Sequence, residues 1–185
     1  MFDIELIGTF LIAGIFILSI LSMNFQLLET SALNNMQTIA QENVAEVASI
    51  IEFDLRKAGY GVPPATTAIL TISDTTIRFL ADIDQNGTPD TINYRLSSRL
   101  DAASTENPND RYLYRSVNSS ENDVGIGLTD LRFDFYSATG NQTASLDSIR
   151  IIKVGFTVQT LFAYSGQYGS ASWISQISPK NLENI

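Results

Sequence analysis

Residues 6–28, LIGTFLIAGIFILSILSMNFQLL, constrain this chain more than any other stretch. They run for 23 residues without a charge, and a helix of that length is long enough to cross the hydrocarbon core of a bilayer. Asp3 and Glu5 precede the run, and no Lys or Arg occurs before Arg56. A secretory signal would need a basic start and a shorter apolar core. A helix buried in a soluble domain of this size would not be apolar on every side for six turns. A retained membrane anchor is the expectation, although the positive-inside rule finds no basic residue at either end to set its orientation.

No Gly or Pro interrupts residues 24–58. Leu33, Met36, Ala40, Val44, Val47, Ile51 and Leu55 recur at steps of three and four, one stripe of an amphipathic helix. Gly59 and Gly61 provide its stop, with Arg56 and Lys57 in the last turn where cations suit the helix dipole. A helix continuous through both halves would be about 80 Å long at 1.5 Å per residue. The expected organisation is therefore a transmembrane helix over 1–28, its amphipathic continuation over 29–59, and a β-rich head over 60–185.

In the head, strand-like runs cover residues 68–72, 76–81, 91–96, 111–117, 128–136 and 148–159, the last with an irregularity at Lys153. Polar loops are predicted at 97–110 and 118–127, and residues 161–185 are expected to be largely irregular. Short connections favour an antiparallel sheet. Its apolar face and the helix stripe each need a cover, and packing one on the other supplies both. The predicted class is α+β, a long helix packed on an antiparallel sheet.

Composition removes several chemistries. The chain has neither Cys nor His, which excludes thiol nucleophiles, His-based triads and metal sites built on imidazole or thiolate. A net charge of −9 with scattered basic residues argues against a nucleic-acid partner. Paired carboxylates are the surviving enzymatic option, but nothing in the sequence sets two loop acids face to face, and no enzymatic role is expected. Asp82, Asp84, Asn86, Thr88 and Asp90 follow the spacing of a calcium loop, with Gly87 at the sharp turn and Thr88 offering a backbone carbonyl. The bidentate Glu of such loops is missing, since Asn93 stands in its place. Ca2+ is thus a candidate ligand, and the alternative is a hairpin whose Asn86-Gly87 forms a type I′ turn amid solvated acids.

Glu5 within the apolar start, the phrase FDLRKAGY at residues 53–60, and SPKNL at 178–182 together resemble the type IV pilin superfamily, most closely its minor-pilin and pseudopilin members of the PilW and pseudopilin J types. The middle phrase is the most specific. The resemblance implies a pilin-like fold and a structural subunit of a type IV pilus or a type II secretion pseudopilus. It further implies storage in the inner membrane with the head outside the cytoplasm, then assembly with other subunits through helix packing. Glu5 would be the assembly residue, pairing with the α-amino group of a neighbouring subunit. Processing by a prepilin peptidase is implied as well, although the sequence opens at Met1 without the basic leader of a prepilin. Asp3 is an extra acid, and the proline common in the membrane half is absent. The alternative is a membrane-anchored adhesin or calcium-binding module that joins no filament.

Overall fold

The computed structural model describes residues 2–184, and the side chains of residues 4–183. One helix, α1 (Phe2–Lys57), runs for 56 residues, about 84 Å at 1.5 Å per residue. Its two halves differ in environment. Residues 4–31 are exposed apart from the half-buried Gly8 and Gly14, whereas Met36, Ala40, Val44, Val47, Ala48, Ile51 and Leu55 are buried. The three-and-four spacing thus marks the face that the head covers. Lys57 lies over the Phe53 ring at 4.5 Å, and Arg56 pairs with Glu52 one turn back on the solvent side.

The head contains two antiparallel sheets where one was expected. The larger has the order β1 (Ile69–Ile72), β2 (Thr76–Ala81), β3 (Asp90–Leu96), β4 (Tyr112–Val117) and β5 (Ser120–Ile126). The smaller has the order β6 (Leu128–Tyr136), β7 (Ile151–Gln159) and β8 (Ser170–Ile177). Gly127 alone joins them, at φ 87°, where a Cβ would stand 2.6 Å from the Gln159 carbonyl oxygen. No side chain fits there. A backbone bond from Phe133 N to Asp74 O, 2.8 Å, ties β6 to the β1–β2 turn. One core unites the helix stripe with Ile77, Phe79, Ile92, Tyr94 and Leu113 from the larger sheet and Leu131, Phe133, Val154, Phe156 and Val158 from the smaller.

Three expectations are corrected. The polar loop at 118–127 contains β5, an edge strand whose first four residues are exposed. Such a strand needs no apolar face, so its sequence shows no alternation. The tail at 161–185 contains β8 and a 3-10 helix, Lys180–Asn184. Small Ser and Ala residues there are strand-forming because β7 and α1 supply the packing. Finally, the long strand begins at Ile151 with Ile152 facing inward, and a short 3-10 turn, Leu146–Ser148, occupies its expected start. The phase break falls between Ile149 and Ile152, and pairing is regular through Lys153.

Candidate functional site

The upper end of α1 carries the densest polar geometry. Asp54 lies three residues after Ile51 and seven after Val47, so helical spacing places it on the buried face, where it is 1 % exposed. A carboxylate buried there requires partners. The Tyr94 hydroxyl donates to Asp54 Oδ2 at 2.6 Å, Arg115 Nε donates to the same oxygen at 2.6 Å, and Arg115 Nη2 donates to Oδ1 at 3.2 Å. Burial, followed by the Asp54 charge and hydrogen bond, pushes the Tyr94 phenol far above its ordinary range. The Asp54 hydrogen bond raises the Arg115 guanidinium further against an opposing effect of burial. Both groups stay in their donor forms. The arrangement clamps the helix to β3 and β4; it exposes no nucleophile and opens no cleft.

The FDLRKAGY phrase acquires a physical explanation from this geometry. Asp54 takes the clamp, Ala58 is fully buried, and Gly59 at φ 82° donates its N–H to Leu80 O at 2.8 Å. Tyr60 O then accepts from Asp82 N at 2.8 Å. The chain leaving the helix is thereby stitched to the end of β2, immediately before the acidic loop.

That loop joins β2 to β3. Its positive-φ residues are Gln85 (62°) and Gly87 (86°), separated by Asn86, so the type I′ turn expected at Asn86-Gly87 does not form, because that turn needs two consecutive residues in the left-handed region. Buried Asp82 accepts instead from Asn86 N at 3.1 Å and Gly87 N at 2.9 Å. Carboxylate oxygens of Asp82, Asp84 and Asp90 lie within 4.8 Å of one another. Oxygens bound to one calcium ion at 2.3–2.6 Å are at most about 5 Å apart, so this donor set fits the ion in type and spacing. The Asn86 side chain is turned into the loop, with Nδ2 donating to Asp84 Oδ2 at 2.9 Å and Oδ1 accepting from Thr88 N at 2.8 Å. Of the five expected donors, the fold gathers the three carboxylates. Lys57 Nζ, on the last helical turn, donates to Ile83 O at 3.0 Å.

Two further polar residues stand in the loops of the larger sheet. Asn118, at φ 55° in the β4–β5 turn, donates to Asp90 Oδ1 at 2.8 Å and accepts from Thr91 N at 2.9 Å, which fixes the far side of the acidic loop. Asp110, at the end of the 97–110 loop, is 1 % exposed, and neither carboxylate oxygen has a hydrogen-bond partner among the described residues. Burial pushes its carboxyl above the usual range. Asp54 carried a readable signal, an acid in phase with the buried stripe; Asn118 and Asp110 lie in polar loops without periodicity and carried none.

Glu5, the expected assembly residue, is exposed on the first turns of α1. Its backbone carbonyl accepts from Thr9 Oγ1 at 2.9 Å, and its carboxylate meets no cation among the described residues. The helix around it is long and apolar enough to cross a membrane. No protein-family model and no curated protein matches the sequence.

Proposed function

We propose that this protein is a structural subunit of an extracytoplasmic filament of the type IV pilus or type II secretion pseudopilus kind, anchored in the membrane before assembly and held to other subunits afterwards by the same helix. One observation carries the reading: a single continuous helix whose second half is packed in the head while residues 4–31 project from it, apolar and almost wholly exposed. A surface of that kind needs lipid or other helices around it. Glu5 is the one costly group near its start, since a carboxylate close to hydrocarbon needs a cation or a wet path. In a filament the α-amino group of a neighbour would serve, and the pairing would set the axial stagger between subunits.

The Glu5→Ala variant tests this directly. Loss of incorporation into sheared filaments, with normal amounts of protein left in the membrane, is the expected result. Normal filaments both with this variant and after gene deletion would favour the other reading, an anchored binding module outside any filament, whose ligand would then be sought at the acidic loop.

A further inference from the structure

The smaller sheet carries a hairpin that points back toward the exposed half of the helix. β8 starts beside the helix, with Gln37 Nε2 donating to Ser170 O at 2.8 Å. A Cβ on Gly169 would fall 2.4 Å from the Met36 carbonyl oxygen. β8 packs along α1, and the 3-10 helix that follows it also touches α1; since the helix residues that the head buries begin at Met36, β8 runs from Met36 toward the helix C-terminus. Its connection to β7, residues 160–169, therefore extends the opposite way, toward the membrane half.

This connection is ordered. Thr160 N donates to Gly169 O at 2.9 Å, and Tyr164 and Gln167 exchange both backbone bonds at 2.9 Å. Ser165 and Gly166 form the tip with φ of 49° and 75°. Three arm residues at about 3.3 Å each carry the tip about 10 Å beyond Gly169. Along the helix, the seven steps from Met36 back to Glu29, the first charge after the apolar run, also measure about 10 Å. Continued along the line of β8, the hairpin would bring its tip to about the level of Glu29, the headgroup zone of a bilayer that encloses residues 6–28.

The chemistry at that level suits lipid. Phe162 is 51 % exposed and Tyr164 is 38 % exposed. In a chain of net charge −9, no charged residue occurs between Lys153 and Lys180. The 97–110 loop lies alongside, held by Asn107 Nδ2 to Thr160 O at 3.2 Å and Tyr168 OH to Glu106 O at 3.3 Å, and it exposes Leu100. Amphipathic aromatic rings favour the membrane–water interface.

We propose that the tip of the β7–β8 hairpin, through Phe162 and Tyr164, inserts into the interface of the same bilayer that the helix spans, so that the unassembled head is docked on the lipid surface at a second point. The inference rests on the membrane-span reading and concerns the stored form of the subunit.

The test uses the full chain in phosphatidylcholine vesicles. Trp173→Phe removes the native indole, and Phe162→Trp places a reporter on the exposed arm of the hairpin. Lipids brominated near the top of their acyl chains should quench this reporter and its emission should be blue-shifted. Phe25→Trp in the same background reports the span. Quenching at position 25 without quenching at 162 overturns the docking and leaves the span in place; no quenching at either position overturns both. A blue-shifted, unquenched signal at 162 that grows with protein density also overturns it, since a second copy would then cover the tip.

Discussion

Tyr94 and Arg115, on adjacent strands, donate to the same oxygen of Asp54, each at 2.6 Å. This shared acceptor is the principal polar tie between the helix and the larger sheet, and the three groups differ in how much water they retain. Tyr94 is fully buried, Asp54 is 1 % exposed and the Arg115 side chain is 21 % exposed. Tyr94→Phe removes one hydrogen bond to a charged acceptor and is expected to destabilise by about 1.5–3 kcal/mol. Asp54→Ala removes the acceptor from both donors. Breaking a buried pair costs about 3–5 kcal/mol, and Arg115's access to water puts this variant near the low end. Denaturant midpoints of the full chain in detergent, with far-ultraviolet circular dichroism as the probe, check both. Equal losses for the two variants would mean that Arg115 adds nothing.

The same cluster predicts an alkaline limit to stability. Tyr94 holds its proton in the folded state well beyond the pH at which an unfolded tyrosine, with a pKa of about 10, releases it. Above that value the folded state binds more protons than the unfolded state, so stability falls as pH rises. The Tyr94→Phe variant should show a smaller decline above pH ~10 than the parent. Melting temperatures across that range, with the parent and variant curves converging as pH increases, are the expected record.

Gly169 marks a different kind of constraint. A Cβ there would meet Met36 O at 2.4 Å and Gln37 N at 2.9 Å, both helix backbone atoms that cannot rotate away. Gly169→Ala should therefore push β8 off the helix, and overpacking of this kind costs about 1–3 kcal/mol. A control at Gly140, whose Cβ would meet nothing within 4 Å, is less informative because its φ of 79° adds backbone strain. The better comparison is Gly155→Ala, where the nearest atom is the Ile174 side chain at 3.2 Å, which can shift. The loss in denaturant midpoint should be larger at 169 than at 155.

The contrast between the helix and the head explains what could be read in advance. The helix was legible along its length because its stripe is set by one period and covered from one side, down to Met36 and Leu55. Strands β1 to β4, β6 and β7 were legible where an apolar residue alternates with a polar one, as Phe133 and Phe135 do around Asp134. β5 and β8 were not, since β5 is an exposed edge and β8 interleaves its inward Trp173 and Ile177 with small Ala171 and Ser175 while exposing Ile174, which blurs the alternation. The three carboxylates of the acidic loop were legible from spacing alone. The local turn was not, because Asp82 captures the backbone N–H groups of Asn86 and Gly87 and moves the left-handed residues to Gln85 and Gly87. Tyr94 and Arg115 could not be assigned to Asp54 from sequence, since their contact depends on strand order.

Asp110 gives a pH effect in the acid range. Its carboxyl is raised above the ordinary value by burial, so the folded state binds the proton more tightly than the unfolded state. Stability contributed by this residue is fully present below the unfolded pKa of about 4 and is lost as pH rises through the folded value. Asp110→Asn removes the charge that the site cannot pair. The variant should melt at a higher temperature than the parent at pH ~7, and the difference should disappear as the pH falls below about 4. A difference that persists in acid would assign the effect to packing of the amide.

The acidic loop yields the last prediction. Asp82 and Asp90 are buried beside exposed Asp84 with carboxylate oxygens within 4.8 Å, and their repulsion is offset by backbone N–H groups and by the side-chain amides of Asn86 and Asn118. A divalent cation would relieve it. With three carboxylates and no bidentate Glu, binding is expected in the weak range of extracellular modules, about 10⁻⁴–10⁻³ M. Calorimetric titration of the full chain in detergent should show heat at millimolar calcium and a rise in melting temperature. Asp84→Asn should weaken both without unfolding the loop, because its carboxylate is the exposed member of the three and Asp82 holds Gly87 N independently. Absence of heat and of any melting shift in the parent chain would leave the loop as a connection held by its own side-chain acceptors.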